Sequence, residues 1–146
     1  MQKINKKGFT LIELLVVIAI IGLLSTLAVV SLNNARQKSR DARRVSDVKQ
    51  VQTALELYYN DAGGYPNSDE ADPGDKITYG GTVYMNSVPT APTPADGSCT
   101  SSTNTYNYTA LTTSGSNTSY TFEYCLGSAT GGIPAGLHTA TPGGLY

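Results

Sequence analysis

The chain has 146 residues, enough for one soluble domain plus an anchor and too few for two independent cores of ordinary size. Its formal net charge of -1 is unevenly spread: beyond Gly63 only Lys76 is basic, against Asp69, Glu70, Asp72, Asp75, Asp96 and Glu123. That acidic C-terminal part argues against a nucleic-acid-binding surface, and one histidine (His138) with two cysteines leaves no His/Cys cluster of zinc-ligand spacing.

Lys3, Lys6 and Lys7 lead into an apolar run over residues 9–32 whose sole charge is Glu13. As a helix rising about 1.5 Å per residue, that run reaches roughly 36 Å, more than a hydrocarbon core of about 30 Å. If the three lysines mark the cytoplasmic side, everything after Leu32 lies outside. A cleaved secretory signal, with Thr26-x-Ala28 as its cut site, fits less well: the run exceeds the usual ~7–15 residues and has an acid in its first turn. Glu13 itself reads in two ways. It is either a carboxylate held at headgroup depth or a charge with a partner, because an acid at the bilayer centre costs about 2.5–3.5 kcal/mol.

Between Gly22 and Gly63 there is no glycine or proline, and Val45, Val48, Val51, Leu55 and Tyr58 recur at three- and four-residue steps. This spacing lines one helical face and predicts that the helix continues to about Asp61, where Gly63-Gly64 and Pro66 end it. The basic stretch RQKSRDARR (36–44) reads as a solvated helix face, a patch for anionic lipid, or a site for acidic surface on a neighbouring subunit.

Past the glycines the pattern turns to strands. ITYGGTVYM (77–85) predicts a hairpin around Gly80-Gly81; residues 105–111 and 119–126 alternate aromatics at period two, with turn-rich TTSGSN between them. The aromatic face of that antiparallel sheet is expected to pack on Val45, Val48, Val51 and Leu55. Pro-rich 87–99 and Gly/Pro-rich 129–146 read as irregular, with His138 an exposed loop residue. No motif such as GxSxG gives His138 a nucleophile, so no enzymatic activity is expected.

Asp69, Glu70, Asp72 and Asp75 offer hard oxygen ligands, but Ala71, Pro73 and Gly80 stand where a calcium loop of the EF-hand type needs ligands; a solvated acidic loop is the simpler reading. The Asn107 and Asn117 glycosylation triplets are what a Thr/Ser-rich composition produces. In an oxidising compartment Cys99 and Cys125 are expected to form a disulfide, which would close a 27-residue loop and stabilise it by roughly 3–4 kcal/mol in the chain-entropy treatment.

The segment KKGFTLIELLVVIAIIGLL, with Gly8, Phe9 and Glu13 in an uninterrupted apolar run, resembles the N-terminal signal of type IV pilins and type II secretion pseudopilins. The resemblance implies an α+β pilin-like fold: a long N-terminal helix, transmembrane then amphipathic, with a small C-terminal antiparallel sheet on its second half. Residues 1–8 would be a cleaved basic leader, 9–32 the membrane and filament-core half of the helix, 33–62 its amphipathic half and 63–146 a globular β and loop region. It further implies that a prepilin peptidase cuts between Gly8 and Phe9 and methylates the Phe9 amine. Cleavage would remove three lysines, taking the formal charge from -1 to -4. Glu13 would then pair with the Phe9 amine of a neighbour during assembly.

Implied partners are further copies of the chain, the peptidase, an assembly platform with its ATPase, and membrane lipid before assembly; no cofactor, metal or nucleic acid is implied. The precursor would be a single-pass protein of the cytoplasmic membrane with its C-terminal region outside, and the product a cell-surface or periplasmic filament. Many relatives carry a proline near Val30; this chain has none and keeps the mid-span glycine as Gly22. The expected function is a type IV pilus subunit. The alternatives are a pseudopilin of a type II secretion system and a membrane-anchored extracytoplasmic binding module using the sheet with loops 87–99 and 129–146.

Overall fold

A computed structural model describes residues 8–146; Lys3, Lys6, Lys7 and the leader they belong to, apart from Gly8, lie outside the described residues. Helix α1 (Leu11–Ala62) runs for 52 residues. It stops at Gly63, whose N–H donates to the Tyr59 carbonyl at 2.8 Å and whose φ of +73° turns the chain out of the helix, the left-handed cap that glycine adopts without steric cost.

Two compact units divide the chain after Arg36. In the first, every residue from 11 to 36 is exposed, including its leucines, isoleucines and valines from Leu11 to Leu32, with Glu13 the one charge among them. This part of α1 supplies the stretch long and apolar enough to cross a membrane.

The second unit combines the rest of α1 with two antiparallel sheets. Strands β1 (Ile77–Tyr79) and β2 (Thr82–Met85) form the hairpin expected around Gly80-Gly81. The larger sheet is a meander in the order β3-β4-β5-β6, formed by β3 (Asn107–Thr113), β4 (Ser116–Leu126), β5 (Gly136–Thr141) and β6 (Gly144–Leu145).

Register sets the core. Tyr108 opposes Phe122 and Ala110 opposes Tyr120, so period-two alternation puts Tyr108, Tyr120, Phe122 and Tyr124 on one buried face. That face and Tyr106 meet Val48, Val51, Ala54, Leu55 and Tyr58 of α1 in one cluster. Val45 lies at its edge, only partly buried.

Three sequence expectations need correction. The segment 129–146 is not irregular: β5 pairs with the free edge of β4, Cys125 opposite Leu137 and Phe122 opposite Ala140, and β6 closes back on β5. Small and polar residues in GLHTAT mask the strand, whose pairing is dictated by the eleven-residue β4 beside it. His138 is accordingly a strand residue, half-buried, with ring nitrogens 3.0 Å from the Tyr146 carbonyl and 2.8 Å from the Pro134 carbonyl. The basic stretch 36–44 is not simply a solvated face, since Arg44 is fully buried beside Asp41. Within TTSGSN the turn shrinks to Ser114-Gly115, both at positive φ (55° and 86°), and strand pairing takes up the rest.

Candidate functional site

The N-terminal site is built around the start of α1. Thr10 precedes the first helical residue, Leu11, and Glu13 lies three positions on. The Thr10 N–H donates to Glu13 Oε2 at 2.8 Å and its hydroxyl donates to the same oxygen at 2.6 Å, while the Glu13 N–H donates to Thr10 Oγ1 at 3.3 Å. This reciprocal arrangement is a capping box: two backbone donors that a helix start leaves unpaired are satisfied by the two side chains. The carboxylate also lies at the positive end of the helix dipole, which favours it there. The signal for the box in the sequence is the Thr-x-x-Glu spacing from Thr10 to Glu13.

Gly8 and Phe9 lie just outside the helix and are exposed, Phe9 at 79% of its surface. Nothing comes within 4 Å of the position a Gly8 side chain would occupy. The Gly8–Phe9 peptide is thus open to a large catalyst, as helical backbone is not. Cutting it would create an ammonium beside the positive end of the dipole, where a cation is disfavoured unless a carboxylate compensates. Glu13 Oε2 carries both Thr10 bonds, and Oε1 accepts none among the described residues.

In the globular unit a second polar cluster ties three loops to α1. Asp41 takes the N–H groups of Gly127 (2.8 Å) and Ser128 (2.9 Å), the Ser128 hydroxyl (2.7 Å) and Arg44 Nη1 (2.7 Å). Arg44 Nη2 donates to the Pro92 carbonyl (3.0 Å) and to Asn104 Oδ1 (2.7 Å). Arg40 grips Asp96 through both carboxylate oxygens, Nη2 reaching Oδ1 at 2.6 Å. That hydrogen-bonded pairing holds the Asp96 carboxyl below its usual range and raises the guanidinium. Asp47 moves the other way: burial pushes its carboxyl up, opposed by a hydrogen bond from Tyr106 and by Arg43.

Beside this cluster Cys99 and Cys125 are joined in a disulfide, their Cα atoms 5.8 Å apart. Gly97 shows how close the backbones run: a Cβ there would meet the Gly127 carbonyl oxygen at 2.0 Å. Charge pattern alone hid this cluster, because Arg40 and Arg44 sit in a run of cations that reads as surface.

The acidic loop is spent on local turns. Glu70 accepts the Asn67 N–H at 2.8 Å and Asp75 the Asp72 N–H at 3.2 Å. Among the described residues no three of His, Cys, Asp or Glu form a group that could hold a metal.

A long helix with an exposed apolar first half, opened by a capped Gly-Phe-Thr-x-x-Glu start and followed by an antiparallel sheet packed on its second half, defines the pilin class of α+β proteins. Residues 3–29 match a family profile described as the prokaryotic N-terminal methylation motif. The chain is 39% identical over 70 residues to the type II secretion system core protein G of Aeromonas hydrophila, covering 48% of this chain and 49% of that one. It is 38% identical over 66 residues to the protein of the same name from Escherichia coli K12, covering 45% and 46%. Fimbrial protein EcpC of Eikenella corrodens is 39% identical over 88 residues, covering 60% and 56%. The chain thus spans about half the length of the curated relatives it matches. No solved structure matches it. The motif and these relatives support a place for the chain in the pilin and pseudopilin family.

Proposed function

We propose that the chain is a structural subunit of the pseudopilin kind, cleaved between Gly8 and Phe9, methylated on the Phe9 amine and polymerised with copies of itself into a secretion-system filament. The observation that carries this reading is the largely apolar surface of residues 14–32, exposed in the single chain and preceded by the Thr10–Glu13 box. A surface so large and so apolar needs lipid first and other subunits later. Head-to-tail packing of such helices makes an open polymer and gives no reason for it to close. The core protein G relatives favour secretion over the surface pilus that the motif alone suggests; the fimbrial relative keeps a type IV pilus as the second reading.

In this role Glu13 is the assembly charge. A neighbour's Phe9 ammonium can approach its unbonded Oε1, and opposite charges attract far more strongly in low dielectric than in water. No catalysis is assigned to the chain. The peptidase, an assembly platform and its ATPase are the partners this role requires. Before assembly the precursor spans the cytoplasmic membrane once with residues 33–146 outside. Mass spectrometry of the N-terminus combined with electron microscopy of cells expressing the chain tests the proposal. A mature chain starting at methylated Phe9 in short, membrane-bound filaments needed for exoprotein release supports it; long surface filaments favour the pilus, and an uncleaved monomer overturns both.

A further inference from the structure

The acids near residues 36–44 are turned inward, and the cations are not all matched to them. Asp41 is buried and serves Arg44 and the backbone at 127–128, Asp96 is taken by Arg40, and Asp47 accepts the Tyr106 hydroxyl at 3.1 Å. Arg36 and Lys38 are exposed, and Arg43 keeps 66% of its side chain in solvent with only a 3.8 Å approach to Asp47. Counting Arg36, Lys38, Arg40, Arg43, Arg44 and Lys49 against Asp41, Asp47 and Asp96 leaves a surplus of three positive charges.

Next to Arg43 lies a cleft of about 470 Å³ lined by Ser39, Arg40, Arg43, Thr90, Pro92 and Thr93. Three hydroxyls and the Arg43 fork are donors suited to phosphate oxygens. In sequence, the cations begin four residues after Leu32, the end of the apolar run. Lysine and arginine flanking a span favour the cytoplasmic side, so five of them at 36–44 oppose the orientation that Lys3, Lys6 and Lys7 set. The fold pairs two closely, Arg40 and Arg44; Arg43 reaches Asp47 only at 3.8 Å and stays open to an external anion, as does the exposed Lys38, and a segment that follows a membrane span has headgroup phosphates within reach.

We propose that Lys38 and Arg43, with the cleft at Ser39, Thr90 and Thr93, bind the phosphates of anionic phospholipid on the extracytoplasmic face of the membrane. The proposal rests on residues 9–32 spanning the bilayer and does not depend on filament assembly. It gives the unassembled subunit an electrostatic hold on the membrane that extraction into a polymer must break.

The test uses the full chain, one copy per nanodisc, in phosphatidylcholine alone or with phosphatidylglycerol mixed in. Retained phosphatidylglycerol is counted by native mass spectrometry, and amide exchange is followed over residues 36–44 and 88–95. Phosphatidylglycerol is expected to stay bound and to slow exchange at 90–93. Arg43→Gln should weaken retention roughly fivefold, and the double change with Lys38→Gln roughly thirtyfold, at about 1 kcal/mol for each charge near the membrane surface. Lys76→Gln should change nothing. Equal behaviour in the two lipids, or equal loss in Lys76→Gln, overturns the proposal. So does the same protection from inorganic phosphate in phosphatidylcholine discs, which would mark a free-anion site. Lipid-independent crosslinking of Arg43 to the 69–75 loop of a second copy, in discs loaded with two copies, would also overturn it, in favour of a subunit contact. Because Arg43 is solvent-exposed, an unchanged melting temperature in Arg43→Gln separates lost binding from lost folding.

Discussion

Arg44 Nη1 lies 2.7 Å from Asp41 Oδ1, one helical turn away, and neither side chain has accessible surface. A pair so buried owes its place to the hydrogen bonds around it, since desolvating two charges costs several kcal/mol per ion before the pairing offsets it. Here those bonds reach the Pro92 carbonyl, Asn104 and the backbone at Gly127 and Ser128, so the pair fastens both halves of the disulfide region to α1.

Asp41 accepts four of these bonds and Arg44 donates three, two of which end on groups near the surface. Asp41→Ala is therefore expected to cost more, about 3–5 kcal/mol, because it strands a buried guanidinium and two backbone N–H groups at once. Arg44→Met should cost about 2–3 kcal/mol, as Asp41 keeps its other three donors. Urea denaturation of the two variants gives the order; a less stable Arg44→Met would contradict it.

The carboxyls of Asp96 and Asp47 predict opposite responses to acid. Asp96 has a folded pKa below its ordinary 3.8, so its stabilisation is present above that value and is lost as pH falls through the folded pKa. For Asp47 the folded pKa is raised, so its contribution is full below 3.8 and is lost as pH rises through the folded value. Asp96→Asn should flatten the acid limb of the stability profile. Asp47→Asn should be tolerated or stabilising near neutrality, because an amide oxygen still accepts the Tyr106 hydroxyl without carrying a buried charge. Melting temperatures from pH 2 to 7 give both slopes; like-signed changes would refute the assignment.

How much of this was legible in the sequence depended on whether a residue's signal was local. Val48, Val51 and Leu55 declare a helical face, and Tyr120, Phe122 and Tyr124 a strand face, because burial leaves a period in the chain itself. Strand β5 has no such pattern: Leu137 is exposed, His138 half-buried and only Ala140 fully buried, and its conformation comes from the β4 edge it completes. Arg44 was concealed for the converse reason. Its neighbours Arg40 and Arg43 are cations on other parts of the helix surface, and nothing local says that Pro92 and Asn104 will close over one arginine and leave another in water. Thr10 has a local signal in its three-residue spacing to Glu13, though the apolar run around the pair makes the charge the more conspicuous feature.

Ser114 occupies the first place of a two-residue hairpin turn at a φ of +55°, with Gly115 following at +86°. Asparagine tolerates this conformation better than serine, and Asn-Gly is the favoured pair for such turns. Ser114→Asn should therefore stabilise the globular unit by about 0.3–1 kcal/mol. Ser114→Val should destabilise by more than that, as a β-branched side chain resists positive φ. Thermal melts of the two variants should bracket the parent.

Reduction of Cys99–Cys125, or its replacement by two serines, should cost about 3–4 kcal/mol if chain entropy governs the 26-residue separation. Loop 87–104 is tied to α1 by Arg40 and Arg44 as well, so the loss should loosen that loop before it unfolds the sheet. Limited proteolysis is the sharper measurement: cuts should appear first between Val88 and Asn104. Initial cleavage in the β3–β4 turn would mean the bridge guards something else.

Thr10 and Glu13 share one hydrogen-bonded box, but they should fail differently when changed. Thr10→Val removes the cap and leaves the charge, at about 1 kcal/mol of local helix stability. Its expected consequence is fraying at the start of α1 with assembly slowed but present. Glu13→Val removes the charge, so in the proposed role a mature Phe9 ammonium would lose both its compensation at the helix start and its partner on a neighbour. That variant should still insert and still be cut at Gly8–Phe9, because the scissile peptide lies outside the helix and Phe9 is exposed. It should nevertheless form few filaments. Glu13→Asp separates the two effects: it keeps the charge with a shorter reach, and partial assembly is expected. Cleavage and filament yield, measured together for all three variants, decide the matter. Abundant filaments from Glu13→Val would show that burial of residues 9–32 drives assembly without the charge, and Glu13 would then be a helix cap alone.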